Sequence, residues 1–508
     1  MRLGHSAVLA RMLLVFFRRR VLRAGVLTST PVRVFAAAGV VLLLAAMCTA
    51  SYLFLKPLAQ EAAVWRLLFD TATVSLLLWV QIAFLLVKVL FLNAQGMLQL
   101  SHQLPVTNRE RAAAFLLYEA VMTAVVAAAG LLSLVVSALV LLGPSSAGPV
   151  TASVVIPAVL AYLALSVVYQ LLTRLWILVG LGRMAGVLNA LALFALLAYY
   201  STLMTPMVQD VAGAYLDERP ARTWATTVSR AWDAYGPWAV LAGTVAVAAA
   251  LTALAFVLAP NQHVRQARYL RLPGSVRLRR VLGPYDWCLL RSAQTVAAAA
   301  LTVAVLVHLL LAERSVNPLW ALTALSFGGL YQFTATAPLR ALPGAREPAW
   351  RVYVRLVRAQ LVLLAVFAGP AFAITLALDA GRLASSGVVV LSCVGGAVLT
   401  TCVSVVFPAE KDNPFSVFLG LSLVLTATAV STIGLGLLSL PPWAVICCLV
   451  GAVSAFVWYA VQGIHISESR RRNAEGEVGR DVRRRGRAAD DGDGCGGGAR
   501  PDVLDGHR

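Results

Sequence analysis

The stretch SHQLPVTNRER, residues 101–111, is a short basic turn between two long apolar runs. Leu104-Pro105 should end one helix, because proline has no amide hydrogen and disfavours helix at the residue before it. Thr107 then stands where an N-cap would stand, with Glu110 three residues later, and this is the capping-box pattern that opens a helix. The sequence therefore predicts two helices that meet at this turn, the second covering residues 111–142.

A looser copy of the turn occurs far along the chain, at LPGARE, residues 342–347. It again separates two apolar runs, and it again combines a Leu-Pro pair with an arginine and a glutamate. Two similar turns at corresponding places predict a chain built from two related halves.

Composition indicates a membrane protein. Of the 508 residues, 60% are hydrophobic and 13% are charged, and the mean hydropathy is +0.80. Apolar runs of about 18 residues or more recur, and each can cross a hydrocarbon core about 30 Å thick as a helix. We count about twelve spans. They cover roughly residues 34–55, 67–92, 113–142, 152–179, 185–205, 237–259, 288–312, 317–337, 353–378, 385–407, 416–440 and 443–464.

The predicted fold is all-α: a polytopic membrane protein with about twelve transmembrane helices in two parallel six-helix halves. The halves are parallel because an even number of spans in each makes both begin on the same side. The basic linker between them is interpreted as a solvated segment at the lipid headgroups, or alternatively as a docking surface. The predicted organisation is an amphipathic cytoplasmic segment (1–32), the first half (33–260), the basic linker (261–287), the second half (288–465) and a disordered cytoplasmic tail (466–508).

Arginine placement explains the net charge of +19. With the N-terminus inside, the inner segments hold about 34 basic residues and the outer segments about 7, as the positive-inside rule requires. The sequence therefore predicts a multi-pass protein of the plasma membrane with both termini cytoplasmic. Membrane lipid is the expected partner of the basic residues, and nucleic acid is not.

The residues needed for several kinds of chemistry are missing from the sequence. The seven cysteines form no C-x-x-C pair, and no H-E-x-x-H occurs, so no metal site is predicted. None of the three lysines, Lys56, Lys88 and Lys411, follows a glycine, so the chain contains no phosphate-binding P-loop. We predict no catalytic residue and no cofactor bound by this chain.

Two charges fall inside predicted spans near the same end, and they are expected to meet. Lys88 lies about one turn from the inner end of the second span, and Glu119 about two turns into the third. One interpretation is a lysine that extends towards the surface and pairs with the glutamate. The other is a proton or substrate site, since charges inside a membrane often mark ion paths.

The pattern resembles the membrane subunit of an ABC exporter of the ABC-2 permease kind. The features shared are a basic amphipathic segment before the first span, residues 11–23, and a Leu-Pro turn leading into a basic helix, residues 104–111. The usual permease has about six spans and pairs with a second copy, whereas this chain has about twelve. The resemblance therefore implies that one chain supplies both halves.

The resemblance further implies that a separate cytoplasmic ABC ATPase subunit, in two copies, docks on the inner turns and carries ATP and Mg²⁺. The cargo would be an unidentified substrate, hydrophobic, amphipathic or peptide-like. The residues that would form the docking sites are Leu104, Pro105, Thr107, Arg109, Glu110 and Arg111 and, in the second half, Leu342, Pro343, Arg346 and Glu347.

Two other functions compete with this interpretation. A proton-coupled transporter of the major-facilitator type also has twelve spans, but its loop resembles G-x-x-x-D-R-x-G-R, and here neither glycine nor aspartate follows Gly96 in the loop. An integral membrane enzyme would need acidic residues in an outer loop. The longest outer loop, residues 205–236, could also form a short lateral helix. Its acidic residues are Asp210, Asp217, Glu218 and Asp233.

Overall fold

The fold is taken from a computed structural model of the chain. The residues it describes are 3–22, 30–58, 61–91, 101, 104, 106–217, 219, 221, 223–259, 269, 282–311, 316–342, 347–378, 381, 383, 386–408, 441, 443–444, 447–448 and 450–469. These residues are 92% helical, and none of them lies in a β-strand. The predicted all-helical class is confirmed for these residues.

The helices of seven or more residues in these ranges are numbered α1 to α13. They are α1 (Leu3–Leu22), α2 (Thr30–Leu55), α3 (Ala62–Phe91), α4 (Asn108–Leu142), α5 (Ile156–Leu178), α6 (Ala185–Leu216), α7 (Thr227–Tyr235), α8 (Pro237–Leu258), α9 (Pro284–Leu290), α10 (Ala293–Leu311), α11 (Ala349–Leu378), α12 (Ser386–Val406) and α13 (Val450–Ser469).

Nine stretches within the described residues are long and apolar enough to cross a membrane. The longest, Asn108–Leu178, contains both α4 and α5. The chain reverses between them, because the Tyr162 hydroxyl donates to the Leu116 carbonyl at 2.7 Å, whereas a straight helix would separate these residues by about 70 Å. The reversal begins at Gly143, whose φ of +65° suits glycine best.

Ten of the predicted spans coincide with described helices, namely α2 to α6, α8 and α10 to α13. The predicted span 416–440 lies outside the described residues. The basic linker is described only at Tyr269 and from residue 282 onwards, and the tail only up to Ser469. The count of twelve spans and the two-half arrangement therefore stay predictions.

The predicted span 317–337 is wrong as a single helix. Residues 318–340 form a series of short α- and 3₁₀-helical turns, here called the broken segment. Two adjacent glycines, Gly328 and Gly329, lie in its 3₁₀ part, Phe327–Tyr331. Glycine is unfavourable inside an α-helix, and a short 3₁₀ stretch can replace the α-helix where the sequence disfavours it.

A second correction concerns α6, which the sequence ends near residue 205. The helix continues to Leu216 and keeps Pro206 in its interior. Membrane helices tolerate proline because neighbouring helices and side chains compensate for the lost hydrogen bond. The predicted outer loop is correspondingly shorter, and α7 lies within it as a short helix.

Two separate apolar cores divide the described helices into a first part, α1 to α8, and a second part, α9 to α13. In the first, α3 packs against α4, α5 and α6, and its residues Val80 and Phe84 are buried. In the second, α11 and α12 enclose the broken segment around Leu325 and Leu356. The two parts meet where α6 contacts α10.

Helix α1 packs on another helix through one of its sides. Its residues Leu9 and Leu13 lie against Ala114 and Tyr118 of α4. Side chains that recur every three to four residues share one helix face, so one side of α1 is apolar. The opposite side carries exposed arginines, Arg11, Arg18 and Arg19.

Candidate functional site

The turn before α4 has the predicted cap. The Thr107 hydroxyl accepts the Glu110 amide hydrogen at 3.3 Å, and the Glu110 carboxylate accepts the Thr107 amide hydrogen at 3.1 Å. These two bonds satisfy backbone donors that a helix leaves open at its start. A cap of this kind stabilises a helix by about 0.5–2 kcal/mol, so the start of α4 is firmly placed.

The predicted docking residues of this turn divide into a buried set and an exposed set. Glu110 and Arg111 are buried. The Arg111 guanidinium donates to the Ser101 carbonyl at 3.1 Å and to Asn108 Oδ1 at 2.8 Å. Both residues therefore hold the turn together. Thr107 and Arg109 are exposed and open to a partner.

The remaining residues of the predicted docking turn have different surroundings. Leu104 packs into the apolar cluster shared by α1 and α4. Pro105 lies outside the described residues. Of the six residues predicted to dock, Arg109 is the one that presents an exposed charge.

Lys88 and Glu119 lie in contact within the helices of the first part. Lys88 Nζ is 2.5 Å from Glu119 Oε2, and the two side chains are only 7% and 13% exposed. The ammonium also lies over the ring of Tyr169, 4.1 Å from its centroid, and 5.3 Å from that of Phe84. Two aromatic faces and one carboxylate thus surround a cation that the bilayer interior would otherwise penalise.

This cluster connects three helices at one depth. Glu119 is the twelfth residue of α4, about 17 Å along a helix that begins at Asn108. Lys88 belongs to α3 and Tyr169 to α5. The hydrogen bond from Tyr162 to Leu116 joins α5 to α4 nearby. A displacement of α4 must therefore move or break its contacts with α3 and α5.

The second predicted docking turn leads into a cluster of charges. Leu342 is exposed, and the Glu347 carboxylate pairs with Arg355 of α11. Arg358, one turn later, lies 3.6 Å from Asp286 of α9. Pro343 and Arg346 lie outside the described residues.

The aromatic neighbour of this cluster keeps its proton. Tyr285 in α9 lies under the guanidinium of Arg355, 5.9 Å from the ring centroid. Burial raises the pKa of Tyr285, and the nearby Glu347 carboxylate raises it further. The phenol is therefore neutral at physiological pH, and the charge of this surface comes from its arginines and carboxylates.

Polar side chains of α11 and α12 contact the broken segment and form a polar junction, here called the junction, that hydropathy did not predict. Gln360 Nε2 of α11 donates to the Leu325 carbonyl at 2.9 Å, and Thr400 Oγ1 of α12 donates to the next carbonyl, Ser326, at 2.9 Å. Six residues after Ser326, Gln332 Nε2 donates back to the Leu356 carbonyl. Backbone that departs from a regular helix at membrane depth must find such partners inside the protein.

The close approach of α12 depends on one glycine. A Cβ atom at Gly329 would lie 2.5 Å from Thr400 Oγ1, nearer than real side chains approach. Only glycine lets the hydroxyl reach the backbone of the broken segment. The Gly-Gly pair was the one sequence signal that could have revealed this junction.

The acidic residues of the predicted outer loop do not form a group of free carboxylates. Asp210 and Asp217 both contact Arg219, at 3.5 and 3.1 Å, and Asp233 pairs with Arg66 at 3.2 Å. Glu218 lies outside the described residues. A general acid or base must contact its substrate, whereas these carboxylates contact arginines.

Neither a metal site nor a relative provides a further indication of function. Among the described residues, no group of three or more His, Cys, Asp or Glu side chains could hold a metal ion. No protein family, curated protein or solved structure matches the chain. What the fold and these sites define is a class: a helical membrane protein with a capped basic turn and two buried polar centres.

Proposed function

We propose that the chain is the membrane permease subunit of an ATP-driven exporter, with ATP hydrolysed by a separate cytoplasmic ABC ATPase. The cargo is an unidentified hydrophobic, amphipathic or peptide-like molecule in a plasma membrane whose lipid covers the exposed apolar faces. The observation that carries the proposal is the turn before α4. Its buried residues are held in place by hydrogen bonds, and its Arg109 is exposed.

A docking element has to be rigid if it is to transmit motion. Here the cap at Thr107, the buried guanidinium of Arg111 and the packing of α1 all fix the start of α4. A force applied at Arg109 would therefore move α4 as one body. A partner that binds one position of α4 better than another shifts the equilibrium between the two.

The buried ion pair extends this connection to other helices. Glu119 of α4 holds Lys88 of α3, and Tyr169 of α5 lies against the same ammonium. Movement of α4 that began at the docking turn would thus reach three helices near the end of α3. In the proposed mechanism, ATP binding closes the ATPase pair, and the helices switch between inward and outward opening.

The second half offers a weaker docking surface. Glu347 is paired with Arg355, so its carboxylate is less open to a partner than the Arg109 guanidinium. Arg351 is also exposed, in the first turn of helix α11. We propose that the second ATPase copy docks on this surface of the second half and contacts Arg351 and Arg355.

Co-purification tests the proposal. The C-terminally tagged full chain, extracted in mild detergent, should retain a soluble P-loop ATPase identified by mass spectrometry. Arg109→Glu should lower the amount retained by about tenfold, because an exposed charge at an interface would be replaced by a repelling one. The amount of chain inserted in the membrane should not change.

The matched control is Arg183→Glu, the same substitution at an exposed arginine in another predicted inner turn, Gly182–Met184. It should retain as much ATPase as the natural chain. Equal retention by both variants would contradict docking at Arg109. Absence of any P-loop ATPase from the natural chain would contradict the exporter itself.

A proton-coupled transporter is the second candidate, and the Lys88–Glu119 pair is the observation that favours it. Ionisable residues within membrane helices commonly carry protons in transporters. Transport that survives depletion of ATP but stops when the proton gradient is removed would support this candidate. The opposite response would support the ATP-driven exporter.

A further inference from the structure

Helices α4 and α11, each of which follows a predicted docking turn, both carry a largely buried polar residue, but the two residues have different neighbours. In α4, Glu119 is the twelfth residue, and it holds the ammonium of Lys88. In α11, Gln360 is also the twelfth residue, counted from Ala349, about 17 Å along the helix. The first centre contains its own cation. The second has an uncharged amide, and no lysine of the described residues lies beside it.

Gln360 is fully buried, and half of its amide has no partner. Its Nε2 donates to the Leu325 carbonyl, which fixes the orientation of the amide. Its Oε1 is buried without a hydrogen-bond donor. An acceptor left in this state is unfavourable, so such groups in proteins usually have a ligand, a water or an ion beside them.

The hydroxyl groups of the junction cannot supply the missing donor. Each of them already donates to a backbone carbonyl: Ser326 to Cys393 at 3.3 Å, Thr400 to Ser326 at 2.9 Å and Thr401 to Ala397 at 2.7 Å. A hydroxyl has one hydrogen but two acceptor lone pairs. The spare hydrogen-bonding capacity of these hydroxyl groups is therefore that of acceptors.

The junction is also without net charge. Helix α12 and the part of the broken segment from Pro318 to Ala335 contain no Asp, Glu, Lys or Arg. On α11, the two arginines nearest to Gln360 are exposed and occupied elsewhere: Arg355 pairs with Glu347, and Arg358 lies against Asp286. Neutral oxygen atoms without a carboxylate favour a cation of low charge over Mg²⁺ or Ca²⁺.

From this difference between the halves we propose that the junction binds a small monovalent cation, with Na⁺ the test ion. Gln360 Oε1 and the hydroxyl oxygens of Thr400 and Ser326 would be its ligands. Carbonyl and side-chain oxygens at interrupted helices are the usual ligands of such ions within membranes. The ion would take the place that the ammonium of Lys88 has in the first half.

The size of the ion follows from the packing. Gly329 and Gly396 both lie against the hydroxyl groups of the junction, so close that a Cβ at either would touch Thr400 or Ser326. A bulky organic ammonium would have to displace these helices. A small ion would fit between them with little displacement.

The test is thermal unfolding of the purified full chain in detergent, in chloride salts of Na⁺, K⁺, Li⁺ and N-methylglucamine at constant ionic strength. Na⁺ should raise the Tm by about 3 °C relative to N-methylglucamine, and the rise should grow with the logarithm of its concentration. Equal Tm values in all four salts would overturn the proposal, because a buried water would then satisfy Gln360.

Two variants with the same substitution locate the effect. Thr400→Val removes a proposed ligand and should abolish the Na⁺-dependent rise. Thr375→Val is the control, since Thr375 is fully buried on α11 and its hydroxyl donates to the Ala371 carbonyl of its own helix. A rise that persists in Thr400→Val, or disappears in both variants, would contradict a site at the junction.

A direct measurement keeps the test decisive if Thr400→Val does not fold. Saturable binding of ²²Na⁺ to the natural chain, competed by Li⁺ but not by N-methylglucamine, is the expected result. Gln360→Met should reduce this binding, since methionine fills similar space without an oxygen. Binding that cannot be saturated would refute the proposal, whatever the outcome for the exporter.

Discussion

Neutralising one member of the Lys88–Glu119 pair should destabilise the protein more than neutralising both. The variants are Lys88→Met, Glu119→Gln and the double variant. Each single variant leaves one charge with no opposite charge in a place where the side chains are 7% and 13% exposed. Removing one member of a buried pair typically costs about 3–5 kcal/mol. The double variant leaves no charge and should regain most of that loss.

The distance between the two groups sets the scale of this effect. Two unit charges 2.5 Å apart attract by about 7 kcal/mol at an effective dielectric constant of about 20. Bringing each charge out of water costs several kcal/mol, so the intact pair contributes little net stability. The single variants lose the attraction but keep one desolvated charge, and this difference is what the experiment detects.

The assay is thermal unfolding of the purified full chain, followed by tryptophan fluorescence in one detergent. With about 2 °C for each kcal/mol, the single variants should lose about 6–10 °C in Tm. The loss in Tm of the double variant should be much smaller than the sum of the two single losses. The departure from additivity in this double-mutant cycle measures the coupling of the pair.

The matched control is the Arg66–Asp233 pair, 3.2 Å apart but 75% and 60% exposed. Water screens such a pair, so the same cycle should give a coupling below about 1 kcal/mol. Additive losses at Lys88 and Glu119 would refute our account of the buried cluster. Equal coupling in the exposed and buried pairs would refute the role we give to burial.

Two further predictions concern backbone contacts. Gly329→Ala should lower the Tm by several degrees because its Cβ would meet Thr400, whereas Gly369→Ala, with no atom within 4 Å of its Cβ position, should leave it unchanged or slightly raised; a loss in both would argue against the close approach. Thr107→Ala should cost about 1 kcal/mol and speed hydrogen exchange at the Glu110 amide, measured by mass spectrometry, and unchanged exchange there would show that the cap is not formed.

Local chemistry made some features predictable from the sequence. The cap of α4 depends on Thr107 and Glu110, which are three residues apart, so the sequence alone contains the whole motif. The pairing of Lys88 with Glu119 could be anticipated from their similar depth in consecutive spans. Depth along a helix is nearly fixed by residue number, because each residue adds about 1.5 Å.

Features that depend on distant residues were not predictable in this way. The broken segment is apolar enough to be predicted as a span, and its sequence pattern does not reveal where the helix is interrupted. Its carbonyl partners, Gln360 and Thr400, lie 35 and 74 residues further along the chain. The inward position of Arg111 likewise depends on the Ser101 carbonyl across the turn, and an arginine in a basic turn would ordinarily be expected to face the solvent.

The contact between α1 and α4 imposes an order on biosynthesis. The ribosome makes Leu9 and Leu13 long before Tyr118, the residue against which they finally pack. During that interval the apolar side of α1 has no protein partner, and the membrane surface is the available place for it. We therefore expect α1 to rest among the headgroups first and to join α4 only after three spans have been inserted.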